Sequence, residues 1–396
     1  MDNAIVVVNA GSTSLKFAAY TVPTTEACLL YRGRISGLLT HPMFVVEDSA
    51  GKILAERDLG GSLGRDHRAV LHIVTTWLQA NLNGAKIVAA GHRIVQGGIR
   101  FAGPTLIDDE TLDYLNTLAA IEPLHQPFNI GGVRAFAQAF PGLPQVACFD
   151  TSFHRSMPDV AQTYALPKEV RDNGVRHWGY HGISYDYISR QVPKAAPDAR
   201  RVIVAHLGGG ASLCAMLDGK SIDTSMGFAA LSGLPMATRS GDIPIGAIFY
   251  LLRTKLFDDA SLEAMLYERS GLLGLSEISG DMKVLQESAD PRAGAAVESF
   301  VYAMTKYVGA YVAALGGLDA LVFTAGIGEN SPLVRASLCR NLAWLGVRLD
   351  DEANAAGGCR ISTPDSRVSV LVIPTNEELM IAQHTLALVG ARVREP

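Results

Sequence analysis

Apolar residues along this chain fall into short uninterrupted runs that end on glycine or small polar residues. Val202-Ile203-Val204-Ala205 leads through His206-Leu207 into Gly208-Gly209-Gly210, and Ser212-Leu213-Cys214-Ala215-Met216 leaves the turn. Near the amino terminus Ile5-Val6-Val7-Val8 enters Asn9-Ala10-Gly11-Ser12-Thr13-Ser14, and Leu15-Lys16-Phe17-Ala18-Ala19-Tyr20 leaves. Each reads as strand, small-residue turn, strand, because short apolar runs bounded by turn signals suit buried strands. Two such hairpins predict two similar half-molecules. In the later one, three residues without side chains let backbone N–H groups reach an anion. In the earlier one, period-two alternation sets Ser12, Ser14 and Lys16 on one face, with Asn9 facing the same turn.

The remaining pattern supplies further elements in order. Weak alternation over 29–60 predicts a meander, and the spacing of Val70, Leu71, Val74, Trp77 and Leu78 predicts a core-facing helix over 67–82. A strand over 86–95 carries Arg93 between apolar neighbours. A covered guanidinium must find a partner, which here is either a bound anion or a buried ion pair. Pro123-Leu124-His125-Gln126-Pro127 predicts a rigid turn before a helix from Asn129 to Phe140, with His125 a satisfied loop histidine or a site residue. The strand 145–149 ends on Asp150-Thr151-Ser152, where Asp150 is either a helix cap or a carboxylate at a strand end. Gly179-Tyr180-His181-Gly182 sets a histidine between glycines just before a helix, and with little to pack against it is expected to face a cleft.

Asp218-Gly219 reads as a hairpin turn into a strand over 221–225. Arg239 lies in a loop of small residues, a setting in which an arginine meets an oxyanion, and Asp281-Met282-Lys283 follows Ser279-Gly280 in another polar loop. Asp290-Pro291 opens a long helix whose stripe Val301, Met304, Val308, Tyr311, Val312 is core or subunit contact, ending at Gly316-Gly317. A strand over 320–325 leads into Gly326-Ile327-Gly328-Glu329-Asn330. As a dinucleotide fingerprint this fails, since Ser331 stands at the last glycine. As a close backbone approach beside a helix N-terminus it works. Gly219-Lys220-Ser221 is not the end of a P-loop, because Cys214 replaces the required first glycine and the context is a hairpin. In the last helix Thr375 and Glu378 have capping-box spacing, which leaves Glu377 as the metal candidate.

Composition narrows the function classes. A chain of 396 residues with 48% hydrophobic residues is long enough for two well-filled cores. Net charge of −5 with dispersed basic residues argues against nucleic acid as a partner. Five cysteines without a CxxC pair point to buried free thiols rather than a disulfide frame or zinc site. The amino terminus lacks the basic start of a signal peptide, and Glu298 and Lys306 interrupt the longest helix, so no membrane span and a cytoplasmic location are expected.

In order along the chain, NAGSTSLK, GHRIVQGG, FDTSFH, GYHGIS, HLGGGAS, DTSMGF, TRSGDI, SGDMK, AGIGEN and PTNEEL resemble the acetate kinase family of the sugar kinase, Hsp70 and actin superfamily. The resemblance runs from Asn9 to the last helix. It implies an α/β fold of two ribonuclease-H-like, actin-like ATPase domains with a nucleotide cleft between them, paired as a homodimer. The domains implied are residues 1–150 with 380–396, the final helix crossing back, and residues 151–379. The activity implied is reversible phosphoryl transfer between ATP and acetate with Mg²⁺, or Mn²⁺ in its place.

Carried over by position, Asn9 and Glu377 are the metal-linked residues. Lys16, with Ser12 and Ser14, meets the phosphates of ATP. His206, Leu207, Gly208, Gly209 and Gly210 frame the nucleotide, as do Asp281, Met282 and Lys283, and Gly326, Ile327, Gly328, Glu329 and Asn330. Arg93 holds the substrate carboxylate beside His125, with an apolar pocket at Val95, Leu124, Tyr180 and Ala230. His181 and Arg239 stabilise the transferring phosphoryl group. Asp150 is the acidic residue, and its task follows from chemistry: a carboxylate substrate is already ionised at neutral pH, so Asp150 orders the metal ion or its water instead of taking a proton.

This chain departs from the family at Gly209 (usually asparagine), Lys283 (usually arginine, with its planar stacking surface) and Ala230 (usually proline). A smaller residue at Ala230 makes room for another methylene, so a propionate or butyrate kinase is the near alternative. A sugar kinase is disfavoured because two arginines suit carboxylate and phosphate better than a polyol. The different-class alternative is an ATP-switched chaperone or filament protein.

Overall fold

The computed structural model describes residues 3–11, 14–22, 27–38, 41–60, 67–82 and 84–393. The chain divides into two compact units, Met1–Phe153 with Asn376–Pro396, and His154–Thr375.

The first unit is built on β1 (Asn3–Ala10), β2 (Ser14–Thr21), β3 (Cys28–Ser36), β4 (Met43–Asp48), β5 (Ile53–Asp58), β6 (Lys86–Ile94), β7 (Thr105–Leu106) and β8 (Gln145–Phe149). They form one sheet in the order β5-β4-β3-β2-β1-β6-β8-β7. β1 pairs antiparallel with β2 and parallel with β6, which is parallel to β8. The apolar run of β1 is buried on both faces, as the centre of a covered sheet requires. The helix His67–Asn81 covers one face, packing Val70, Val74 and Trp77 against Val6, Val8, Phe17 and Phe44. The helix Glu377–Val393 packs on β1 and β6. Gly91 permits that approach, since a Cβ there would collide with Thr385 Oγ1 and Ile381. β5 lies at the sheet edge and is largely exposed, with Glu56, Arg57 and Asp58 blunting it.

The second unit is built on β9 (Arg201–Leu207), β10 (Ala211–Leu217), β11 (Lys220–Thr224), β12 (Ala320–Thr324) and β13 (Ser369–Val372), in the order β11-β10-β9-β12-β13. β9 pairs antiparallel with β10 and parallel with β12. Asp218 (φ 51°) and Gly219 (φ 75°) make the tight turn between β10 and β11. The helix Pro291–Leu315 opens on Asp290, whose side chain accepts from Arg292 N–H, and ends at Gly316 in the left-handed region. Its stripe Val301, Met304, Val308 and Tyr311 is buried in the unit's own core.

The two sheets share one plan. In each, the first strand is central, the second and third meander away antiparallel on one side, and the fourth and fifth of the set run parallel on the other (β3-β2-β1-β6-β8 and β11-β10-β9-β12-β13). The hairpin echo in the sequence is therefore a repeat of topology. This is the two-sheet α/β architecture of the actin-like ATPase fold.

Some local expectations are corrected. The helix after His125 spans Gln126–Ala139, so Pro127 sits inside its first turn rather than before it. Residues 326–330 are themselves helical, within Ala325–Asn330. The last helix is capped by Asn376, whose Oδ1 accepts from Leu379 N–H, while Thr375 pairs its hydroxyl with Ser184. All five cysteines are free, but only Cys148, Cys214 and Cys339 are buried. Cys28 and Cys359 are exposed.

Candidate active site

In the first unit the carboxyl ends of three parallel strands meet at one sheet edge, the place where open α/β sheets present ligand groups. β1 delivers Asn9, β6 delivers Arg93, and Asp150 follows β8, its N–H bonded to Ile94 O at 3.0 Å. Arg93 Nε donates to both oxygens of Asp150 (3.2 and 3.1 Å), Nη2 donates to Oδ2 at 2.7 Å, and Nη1 donates to Asn9 Oδ1 at 3.3 Å. The covered arginine thus has an ion pair for a partner, one of the two alternatives its sequence context left open. Burial works against the Arg93 charge, but Asp150, Glu377 and Glu378 outweigh it and push its pKa up. Burial lifts the Asp150 carboxyl above the usual carboxylate range, with Arg93 pulling the other way. Three hydrogen bonds from a guanidinium favour the ionised form of that carboxylate.

Glu377 opens the last helix and is buried, and Glu378 beside it is half-buried. Burial, then repulsion from Glu377, raises the Glu378 pKa, while Lys16 and Arg93 lower it. Lys16 is exposed on β2, opposite Asn9 in the register. Ser14 is half-buried at the start of that strand, and Ser12 lies outside the described residues. Arg93 and Lys16 act on the carboxylates Asp150, Glu377 and Glu378, with His125 also acting on Asp150, so oxygen donors gather at this edge. That donor set suits a hard divalent cation. Among the described residues no three His, Cys, Asp or Glu side chains converge to cage an ion. Mg²⁺ does not need a cage, because it keeps several waters and takes few protein ligands.

A buried polar network holds this edge in place. Asn129 accepts from Val95 N–H at 2.9 Å and donates to Ala10 O at 2.7 Å, and Gln126 accepts from Gln96 N–H at 3.2 Å. Val95 is buried and Leu124 half-buried, while His125 precedes the helix and lies 3.3 Å from Glu122. Sequence reasoning missed Gln126, Asn129 and Glu122. Their only signal was polar residues among apolar ones on one short segment.

In the second unit β9 ends on His206-Leu207, and the Gly208–Gly210 turn closes with Gly208 N–H donating to Gly210 O at 3.0 Å. His181 caps the helix Gly182–Ala195 with φ at 58°. It is buried, against the expectation that flanking glycines would leave it facing a cleft. The left-handed backbone instead folds the ring onto His206, centroids 4.1 Å apart, with Nδ1 2.8 Å from Ser212 Oγ. His206 Nδ1 lies 2.8 Å from Ser184 Oγ, and Tyr185 shares the Ser212 hydroxyl. Ser184, Tyr185 and Ser212 were also missed, although Ser212 sits inside the HLGGGAS stretch.

Arg239 is half-buried and donates from Nη1 to Ala230 O at 2.9 Å. Ala237 N–H donates to Gly209 O at 3.1 Å, tying the arginine loop to the glycine turn. A Cβ on Gly210 would stand 3.2 Å from His181 Nε2 and 3.6 Å from Arg239 Nη1. The imidazole Nε2 and the guanidinium Nη1 therefore both lie beside the bare turn. Tyr180 is buried and donates to Phe228 O at 2.7 Å, and Ala230 is buried nearby in sequence.

The other nucleotide candidates are placed within the same unit. Asp281 caps the short helix Met282–Glu287 by accepting from Lys283 N–H. Met282 is buried, and Lys283 lies 3.9 Å from Glu287. In the Gly326–Asn330 turn, Gly326 is exposed and Gly328 buried, with Ile327 between them half-buried. Glu329 Oε1 accepts from Ala325 N–H at 2.7 Å and Thr375 N–H at 3.1 Å, and Asn330 Nδ2 donates to Gly326 O. Those two side chains thus brace the turn. Arg335, fully buried, braces it from beneath by donating to Gly328 O and Glu329 O.

Comparison with known proteins identifies the family. The profile of the acetokinase family matches residues 4–383. An acetate kinase of Rhodopseudomonas palustris is 46% identical over 98% of this chain and 99% of its own. Among solved structures, a propionate kinase from Francisella tularensis aligns with TM-score 0.90 at 38% identity, covering 97% of this chain and 99% of that one. The acetate kinase of Porphyromonas gingivalis aligns with TM-score 0.85 at 33% identity, covering 98% and 100%. With residues 4–383 matched by the family profile and relatives 46% identical over 98% of its length, the chain belongs to the acetokinase family.

Proposed function

We propose that this chain is a kinase that reversibly transfers the γ-phosphoryl group of ATP to acetate, giving acetyl phosphate and ADP. The observation that carries the reading is the placement of His181 Nε2 and Arg239 Nη1 beside the Gly208–Gly210 turn. An acetate oxygen forms a bond to the γ-phosphorus while the bond to the β-phosphate oxygen breaks. No proton moves, because the acid is ionised and ADP leaves as an anion. Charge on the equatorial oxygens meets the imidazole, the guanidinium and the bare amides. Arg93 and His125 are assigned to the acetate carboxylate, and Val95, Leu124, Tyr180 and Ala230 to its methyl group. Lys16 and Ser14, with Ser12, contact phosphates, and residues 281–283 and 326–330 frame the nucleoside. Mg²⁺ supplies charge neutralisation of the phosphates when bound. Asn9 and Glu377 would hold it, and Asp150, fixed by Arg93, would order it or its water.

The two sheets are read as the amino-terminal and carboxyl-terminal ribonuclease-H-like domains, with a homodimer as the working assembly. Ile245, Phe249 and Tyr250, exposed on the helix Ile245–Arg253, support a subunit contact. A cytoplasmic location without nucleic-acid or membrane partners fits the net charge of −5. Among the described residues no helix is long and apolar enough to cross a membrane.

Propionate is the second reading, favoured by Ala230 and by the likeness to the Francisella propionate kinase. One extra buried methylene is worth about 0.8 kcal/mol, roughly fourfold in affinity, so discrimination between the acids is modest. The deciding experiment measures ADP release from Mg·ATP with acetate, propionate, butyrate and glycerol, trapping acyl phosphate with hydroxylamine. Acetate leading in kcat/KM is expected. Propionate leading would reassign the substrate, and no trapped product with any acid would overturn the kinase reading.

A further inference from the structure

His154 ends the FDTSFH stretch and is 1% exposed, a buried imidazole that the phosphoryl transfer does not use. Its Nε2 lies 2.9 Å from Tyr180 O and its Nδ1 lies 2.8 Å from Ser221 Oγ. A carbonyl only accepts, so Nε2 carries the ring proton and Nδ1 accepts from the Ser221 hydroxyl. Cys214 Sγ donates to Ser221 Oγ at 3.4 Å, which leaves the hydroxyl proton for the imidazole. Burial lowers the His154 pKa to about 3, so the ring stays neutral, one donor and one acceptor, at neutral pH.

The carbonyl that His154 meets belongs to the peptide joining Tyr180 to His181. His181 has a φ of 58°, a left-handed backbone that is costly for a residue with a side chain and persists where neighbours hold it. On its carboxyl side His181 O accepts from Tyr185 N–H at 3.0 Å. On its amino side the peptide is held by His154, and the Tyr180 hydroxyl by Phe228 O. Gly179 lets the ring come close, since a Cβ there would stand 2.5 Å from His154 Cγ. Tyr185 packs edge-on against the same ring, centroids 5.6 Å apart, and shares the Ser212 hydroxyl with His181.

We infer that His154 is a positioning residue for His181: its Nε2–H holds the Tyr180–His181 peptide by the Tyr180 carbonyl and thereby sets where the His181 ring points. The effect on catalysis rests on the kinase reading, whereas the hold on the peptide does not. A ring turned by one rotation about that peptide would carry His181 Nε2 away from the Gly208–Gly210 turn.

The test uses the full chain with ring-labelled histidine, as wild type, His154→Gln and His154→Asn. The amide nitrogen of glutamine falls near the place of imidazole Nε2, while that of asparagine reaches only as far as Nδ1. His154→Gln therefore keeps a donor for Tyr180 O, and His154→Asn leaves that carbonyl buried without one. Long-range ¹H–¹⁵N correlation without substrate reports the His154 tautomer and the His181 ring, and steady-state kinetics separate kcat from KM for ATP. Wild type should show His154 protonated at Nε2. The His181 ring signals should match wild type in His154→Gln and be displaced in His154→Asn. In His154→Asn kcat should fall about tenfold, the size of one buried carbonyl left unsatisfied, with KM for ATP nearly unchanged, and His154→Gln should recover most of it. An Nδ1–H tautomer in wild type would overturn the inference, as would equal kcat or equal His181 signals in the two folded variants. Should neither variant fold, the wild-type tautomer decides. His181 signals displaced only in His154→Asn, in a chain that phosphorylates no acid, would keep the positioning and overturn only the kinase reading.

Discussion

The two sheets of this protein share the order of five strands and differ in chemistry at the strand ends. In the first unit the parallel strands β1, β6 and β8 end in fixed charge: Arg93 bound to Asp150, with Glu377 and Glu378 adding to the negative side. In the second unit β9 and the segment before the helix Gly182–Ala195 end in stacked imidazoles and shared hydroxyls, around a turn without side chains. A common backbone plan places residues at the same kind of edge but does not choose their charge. An edge of carboxylates around one arginine suits a cation. An edge of amides, imidazole and guanidinium suits an anion.

The largest break in this contrast is expected on the phosphate side. Arg239→Ala should lower kcat by about 10²- to 10³-fold, the usual cost of removing one preorganised donor, with a far-ultraviolet CD spectrum like that of wild type. A kcat near wild type would remove Arg239 from the reaction. On the charged side, Asp150→Ala leaves the Arg93 guanidinium without its ion pair. Removing one partner of a buried pair costs about 3 to 5 kcal/mol, and the partial exposure of Arg93 puts this case near 3. Urea unfolding should show that loss, whereas Arg239→Ala should leave stability little changed.

Acid should strain both units through a different pair of groups. Burial lowers the pKa of His92 in the first unit to about 4 and of His154 in the second to about 3. Both are neutral when folded above those values, while the unfolded imidazoles take up protons near pH 6.5. The unfolded state therefore binds more protons between about pH 6.5 and 4, and stability falls as pH drops through that window. It is unaffected by these groups above it. Each contributes about 2 to 3 kcal/mol by pH 4. Urea midpoints measured from pH 7.5 to 4 should decline, and His92→Gln should flatten part of the slope.

Smaller effects sharpen the comparison. Ser212→Ala removes the hydroxyl that His181 and Tyr185 share, so a loss of about 1 to 2 kcal/mol in stability and about tenfold in kcat is expected. Gly209→Asn has open space, with no atom within 4 Å of an added Cβ. Stability should change by less than about 0.5 kcal/mol. If the new amide reaches a phosphate, KM for ATP falls a few-fold, about the worth of one neutral hydrogen bond. An unchanged KM would show that the backbone turn alone holds the nucleotide.

Strands and turns were legible because their signals are local. The apolar run of β1, the Asp218-Gly219 turn and the Asp290-Pro291 helix start each carry their physics within a few residues. His181 was legible as a candidate residue but not as a buried one. Its burial depends on a left-handed backbone and on His206 and Ser212, which arrive from elsewhere in the chain. The capping-box spacing at Thr375 and Glu378 was a local signal outcompeted by Asn376 for the helix end and by Ser184 for the threonine hydroxyl.

The sequence by itself determined the repeated hairpins, the alternation that sets Ser14 and Lys16 on one face, and the bare Gly208–Gly210 turn, since period and side-chain size are properties of neighbouring residues. Only the tertiary structure decided which partner each buried polar group would take: Arg93 with Asp150, His181 with Ser212, Arg335 with the carbonyls of Gly328 and Glu329. A buried polar group must find a partner wherever the fold brings one, and the apolar pattern that drives the fold is blind to which one that is.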